Sequence, residues 1–328
     1  MKATAVAHPN IALIKYWGRT DEVLNLPATG SLSMTMGGVH TTTTVEVAPG
    51  LARDEVHIDG KPAEPKAAER VVRHLDRLRA RAKQAPRVRV VSRNNFPQGS
   101  GLASSASAFA ALTVAANEAL GLGLGMKECS ILARQGSGSA ARSLYGGWVV
   151  WHPGQRSEDS FAEPVAPMEH LDVVDLVAIV SREHKKVGSQ EGHALAKTSP
   201  LHDGRIAAVP GWLERALAAL KAKDLATLGS IAELDALAMH GVMMTSTPSL
   251  LYWQPGTMQL LHAVRAWRDE GLRCWFTIDA GPNVHILTAG ADAPQVERRL
   301  AALGYAGEAL VKCPAGPGPQ LLREHLRA

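Results

Sequence analysis

Apolar positions along this chain mark short β-type runs first and longer helical runs later. The stretch 41–47 is rich in Thr and Val and reads as a strand. A second strand at 56–58 enters an Asp59-Gly60 turn. Helical spacing over 69–83 precedes a strand at 88–92. A helix starting at Ser105 runs to the glycines at 121–125, followed by a short helix at 130–134 and a strand at 148–151. The apolar, Val-rich stretch 172–180 predicts a buried strand. Beyond it, 211–223, 225–240 and 258–270 carry helical spacing, strands are expected at 273–278 and 284–287, and a last helix at 295–303. A mixed half followed by a helix-rich half is not regular βαβ alternation, so the expected class is α+β. The halves divide softly near 180–190, since no repeat, low-complexity tract or flexible linker separates them.

Composition changes this picture little. The chain has 328 residues, 46% hydrophobic and 20% charged, enough for about two ordinary globular domains. The net charge of +4 is mild. In the densest basic stretch, Arg70, Arg73, Arg77 and Arg81 share helical spacing, with Val71, Leu75 and Leu78 on another face. That reads as a solvated helix face rather than a nucleic-acid surface. Cys129, Cys274 and Cys313 have neither disulfide-framework nor metal-ligand spacing. With no signal-peptide pattern and no run near the ~20 apolar residues a bilayer span needs, a cytoplasmic protein without membrane partners is expected.

Three segments offer chemistry. Pro97-Gln98-Gly99-Ser100-Gly101-Leu102-Ala103-Ser104-Ser105-Ala106-Ser107-Ala108 is a small-residue loop opening an Ala-rich helix. Small residues let backbone approach an anion, and a helix N-terminus offers unpaired N–H groups. Ser104, Ser105 and Ser107 add hydroxyls for phosphate or Mg²⁺. A Ser-capped helix with nothing bound fits these residues equally. Asp279 precedes Ala280-Gly281-Pro282-Asn283, so it either presents a carboxylate to a substrate hydroxyl or organises the turn. Arg142 follows Gly136-Ser137-Gly138-Ser139, where it either forks onto a carboxylate or makes a surface salt bridge. The histidines are scattered, and His240, placed at a helix end, reads as structural or dipole-compensating. Trp17, Trp148 and Trp151 read as packing residues.

The 97–108 loop resembles the phosphate loop of the GHMP small-molecule kinase superfamily. Further segments are similar to the mevalonate diphosphate decarboxylases: His8-Pro9-Asn10-Ile11-Ala12-Leu13-Ile14-Lys15-Tyr16-Trp17-Gly18, the Gln135–Ser143 substrate loop, the Phe276–Asn283 aspartate loop and, more loosely, Lys185-Lys186-Val187-Gly188-Ser189. The resemblance runs in family order from residue 8 to residue 283. It implies a GHMP-kinase-type two-domain fold, an ATP-binding domain at 1–184, a second domain at 185–328, and an active site in the cleft between them. It implies ATP and Mg²⁺ as cofactors, with ATP at Pro97, Gly99, Ser100, Gly101, Leu102, Ala103, Ser104 and Ser105, and Mg²⁺ at Ser104 and Ser105. Asp279 and Arg142 would be catalytic. Tyr16, Arg19, Ser137, Gly138, Ser139, Arg142, Ser189 and Ala280 would bind a small-molecule substrate. The implied reaction turns mevalonate 5-diphosphate into isopentenyl diphosphate, ADP, phosphate and CO₂, in a homodimeric enzyme. Departures from the family pattern are Arg19 for a usual Lys, Gly188 for Ser and His193 for Met. They keep open a substrate with one phosphate, mevalonate 5-phosphate, or an enzyme that accepts both substrates. A mevalonate 3-kinase and a non-catalytic phosphate-binding homologue are the remaining alternatives.

Overall fold

The computed structural model describes residues 1–82, 84, 86–96, 104–183 and 187–327. A six-stranded sheet anchors the first half, in the order Gln320–Leu322, Lys2–Ala7, Thr41–Val47, Val88–Asn94, Glu55–Ile58 and Lys61–Pro62. Helices α1 (Pro65–Arg79), α2 (Ser104–Ala119) and α3 (Met126–Gly136) share its core. Ala3, Ala5 and Ala7 of the first strand meet Ala110, Ala111, Ala115 and Ala116 of α2 there. Alanine on both surfaces lets this helix lie close on the sheet, with its first residues, Ser104 and Ser105, partly buried.

A second sheet follows the order Ala162–Ala166, Trp148–Trp151, Ser31–Thr35 and Asn10–Ile14. A third has the order Cys274–Thr277, Val284–Ala289, Val173–Ala178 and Leu310–Pro314. In the second half, the short α4 (Ser189–Leu195) precedes α5 (His202–Lys221) and α6 (Leu225–Met244). One core cluster joins α5 and α6 to both these sheets, through Ile11, Leu32 and Met34 on one side and Val173, Val177 and Leu287 on the other. The third sheet's opposite face packs on α7 (Pro255–Asp269) and α8 (Ala293–Ala302).

The mixed α+β class is as expected, and the strands at 41–47 and 148–151 fall where they were read. Helix α1 starts earlier than 69 because Pro65 takes the first turn, where its missing N–H costs nothing. Helix α5 passes through Pro210 and begins at His202, not 211. Strands Lys2–Ala7 and Asn10–Ile14 were not anticipated. The latter is buried at every position, so it has no polar alternation to read. Strand Val173–Ala178 pairs on both sides within the third sheet, with Val284–Ala289 and Leu310–Pro314. The C-terminal segment returns to the first half, where Gly147 N–H donates to Gly316 O (2.8 Å) and Gly316 N–H to Thr35 O (2.8 Å). A Cβ at Gly316 would lie 2.5 Å from Gly37 N, so only glycine permits this crossing.

Candidate active site

A cavity of about 420 Å³ opens where the halves meet. One wall is the turn after strand Cys274–Thr277. There Gly281 N–H donates to Asp279 O (2.6 Å), closing a tight turn that leaves the Asp279 carboxylate facing the cavity. Lys15 Nζ donates to Asp279 Oδ1 at 2.7 Å. The Lys15 side chain is 1% exposed and that of Asp279 32%, so the ammonium is enclosed and the carboxylate accessible.

Lys15 was given no role from sequence. It follows Ile11, Leu13 and Ile14, all fully or nearly fully buried, and a lysine beside such a run must find a partner. That was the available signal. Its backbone is held as firmly as its side chain: Lys15 N–H donates to Asp235 Oδ2 (2.5 Å) and Lys15 O accepts from Arg205 (3.0 Å).

Arg142 lies opposite, in a 3₁₀ stretch Gly138–Leu144. It is 2% exposed. Its Nε donates to Asn10 Oδ1 (3.1 Å) and its Nη1 to Ser31 Oγ (2.6 Å), both neutral acceptors. The guanidinium sits 5.6 Å from the Trp151 ring centre. Among the described residues it makes no ion pair, which overturns the surface salt-bridge alternative. Burial lowers its pKa to about 10, with Asp279 and Tyr16 acting the other way, so it stays cationic at neutral pH.

The loop before Arg142 is held by its surroundings. Arg77 donates to Gln135 O (2.8 Å), Arg70 to Gly136 O (3.4 Å) and Asn25 Nδ2 to Arg134 O (2.9 Å). Donors thus cover the carbonyl end of α3, and two of them are cations. This corrects the solvated-face reading: Arg73 pairs with Glu69 in solvent, but Arg70 and Arg77 pack onto the loop. A Cβ at Gly138 would lie 2.5 Å from the Tyr16 ring, so the loop backbone rests directly on it.

Tyr16 Oη accepts from Arg19 Nε (2.7 Å), and Arg19 Nη1 pairs with Glu22 at 2.7 Å. His193 from α4 stacks on Tyr16 and Trp17, with ring centres 4.1 and 4.6 Å apart. Its Nδ1 accepts from Gly18 N–H (3.1 Å). Burial first, then Arg19 and Arg205, hold its pKa well below the usual value, so it is neutral. Gly188 caps α4, with Glu191 accepting from its N–H (3.4 Å).

The comparisons with known proteins agree with one another. A family described as diphosphomevalonate decarboxylase-like N-terminal domain matches residues 7–162, and the mevalonate 5-diphosphate decarboxylase C-terminal domain matches 175–312. The chain belongs to the diphosphomevalonate decarboxylase family. It is 37% identical to the diphosphomevalonate decarboxylase mvd1 of Aspergillus fumigatus, over 92% of this chain and 80% of that one. It is 35% identical to a phosphomevalonate decarboxylase of Haloferax volcanii, over 93% of both. A solved complex of MDDEF with MVAPP, AMPPCP and magnesium superposes with a TM-score of 0.93 at 38% identity, covering 98% of this chain and 99% of that one.

Within this family frame, Tyr16, Arg19, Ser137, Gly138, Ser139, Arg142, Ser189, Asp279 and Ala280 all line the one cavity. Ser104 and Ser105, at the start of α2, line it too. Pro97, Gly99, Ser100, Gly101, Leu102 and Ala103 lie outside the described residues, as do Lys185 and Lys186. Ser107 is not at the cavity: it is fully buried and bonded to Thr41 Oγ1 (2.7 Å). His240 sits inside α6 rather than at a helix end, and burial followed by Lys15 lowers its pKa to about 3. A neutral ring cannot compensate a helix dipole. Asn10, Ser31 and Lys15 are site residues that sequence reasoning did not assign.

Proposed function

We propose that this protein catalyses the ATP-dependent decarboxylation of mevalonate 5-diphosphate to isopentenyl diphosphate, with release of ADP, phosphate and CO₂. One observation carries it: an enclosed guanidinium that makes no ion pair among the described residues and an accessible, lysine-bound carboxylate face the same cavity, which also reaches the N-terminus of α2. The fit to ATP and magnesium rests on that helix end, with Ser104 and Ser105 beside it. Bound there, ATP with Mg²⁺ would supply the phosphoryl group, with Pro97, Gly99, Ser100, Gly101, Leu102, Ala103, Ser104 and Ser105 as its holders and the hydroxyls of Ser104 and Ser105 toward Mg²⁺.

The chain's own residues do the positioning. Arg142 forks onto the substrate carboxylate and exchanges its neutral partners' company for a counter-charge. Lys15 orients the Asp279 carboxylate, which receives the proton of the tertiary 3-hydroxyl as that oxygen is phosphorylated. Departure of the new phosphate leaves positive character on carbon 3, and the carboxylate held by Arg142 is lost as CO₂. Tyr16, Arg19, Ser137, Gly138, Ser139, Ser189 and Ala280 take the phosphorylated end of the substrate. The proposal includes a cytoplasmic location, in keeping with three buried, unpaired cysteines, and a homodimer.

A second reading, mevalonate 5-phosphate as substrate, has one specific support: Glu22 already neutralises the Arg19 guanidinium, which lessens its pull on a second phosphate. Asp279→Asn tests the main reading. Turnover should fall by about 10³-fold or more with ATP affinity nearly unchanged. Near-parental turnover would remove Asp279 from the reaction.

A further inference from the structure

Helix α6 touches the site at three positions that no role yet explains together. Asp235 receives the backbone N–H of Lys15 (2.5 Å), Met239 lines the cavity, and His240 Nε2 lies 3.1 Å from the carbonyl oxygen of Asp279. One rigid element therefore holds the backbones of both members of the Lys15–Asp279 pair, which are 264 residues apart in the chain.

The Asp279 carbonyl already accepts from Gly281 N–H (2.6 Å) within its own tight turn. That bond joins residues of the same turn and cannot set how the turn sits against the rest of the protein. The His240 bond comes from outside and can. A carbonyl oxygen only accepts, so Nε2 carries the proton and donates. The imidazole is 1% exposed, tilted against Trp253 at 5.0 Å and edge-on to Tyr252 at 6.5 Å, so it is confined by its surroundings. Burial and the Lys15 ammonium hold its pKa at about 3, which makes it a permanent neutral donor rather than an acid or base.

We infer that His240 is a positioning residue for the reaction: by fixing the Asp279 carbonyl it fixes the direction of the Asp279 carboxylate toward the substrate hydroxyl and Lys15. The inference rests on the role proposed for Asp279. A side chain that merely fills the core would be replaceable by any group of similar bulk. A positioning donor is replaceable only by another donor of the same reach.

The test compares His240→Gln, whose amide reaches as far as Nε2, with His240→Leu, which keeps bulk without a donor, and His240→Asn, whose amide falls short. Steady-state rates are measured with ATP and mevalonate 5-diphosphate, beside thermal unfolding and an Asp279→Asn control. In His240→Leu, kcat should fall by about 10- to 100-fold, with KM for both substrates within about threefold of the parent. His240→Gln should recover kcat to within about fivefold of the parent. Parental kcat in His240→Leu, or His240→Gln as slow as His240→Leu, would overturn the inference while Asp279→Asn remains inactive. An active Asp279→Asn would instead overturn the role of Asp279 itself. If His240→Leu does not fold, the remaining pair decides: His240→Gln much faster than His240→Asn supports positioning, and equal rates contradict it.

Discussion

Arg205 and Arg142 are both almost wholly enclosed, and they are compensated in opposite ways. Arg205 donates from Nη2 (2.8 Å) and Nε (3.0 Å) to Asp235 Oδ1, with side chains 2% and 0% exposed, and further bonds reach the carbonyls of Lys15 and Trp17. Among the described residues, Arg142 is bonded to the neutral oxygens of Asn10 and Ser31 and lies over the face of Trp151. A buried charge with a partner is part of the frame. A buried charge without one stores an electrostatic cost that an incoming anion relieves. The contrast separates a residue that builds the site from one that waits for the substrate carboxylate.

The largest effect expected from this contrast is on stability. Asp235→Asn leaves Arg205 buried and uncompensated and loosens the backbone at Lys15. Unfolding in urea should show a loss of about 3–5 kcal/mol. A loss below about 1 kcal/mol would mean that the pair is not the frame element described.

Arg142→Gln should do the reverse. It removes a cation that makes no ion pair among the described residues, so stability should stay within about 1 kcal/mol of the parent or rise. Decarboxylation kcat/KM should fall by about 100-fold, because a neutral amide cannot replace a bidentate, charge-assisted contact. If Arg142→Gln is strongly destabilised and still decarboxylates at the parental rate, the assignments of the two arginines are exchanged.

The smallest effect sharpens the comparison through groups that are buried uncharged. His74 and His240 have pKa values lowered to about 3 by burial, and His193 is also held well below its usual 6.5. Between about 6.5 and 3 the unfolded chain binds protons that the native state refuses, so stability is greatest above 6.5 and declines as pH falls. Each histidine contributes a slope of up to about 1.4 kcal/mol per pH unit in that window. Arg142 is charged in both states there and contributes none. Urea midpoints from pH 7 to pH 5 should therefore fall less steeply in His74→Gln than in the parent, and equally steeply in Arg142→Gln. Parallel slopes for the parent and His74→Gln would show that His74 takes up its proton without unfolding.

What was legible in the sequence was local. The small-residue start of α2, the Gly-Ser run before Arg142 and the turn after Asp279 are contiguous motifs, and all the described ones meet at the cavity. What was hidden depends on partners far apart in the chain. Lys15 reads as a lysine at the end of an apolar run until Asp279 is placed beside it. Arg142 reads as a surface residue until Asn10 and Ser31 enclose it. The basic face of α1 reads as solvated until the end of α3 packs under Arg77. Pro210 reads as a helix boundary because its local cost is visible and the packing of α5 that outweighs it is not.

The most direct measurement incubates the purified protein with ATP, Mg²⁺ and, separately, mevalonate 5-diphosphate and mevalonate 5-phosphate, and follows ADP and CO₂ together. ADP and CO₂ should appear in equal amounts, with the higher kcat/KM for the diphosphate. A higher value for the monophosphate would favour the second reading of the substrate. ADP without CO₂, or neither product from either substrate, would contradict an ATP-dependent decarboxylase.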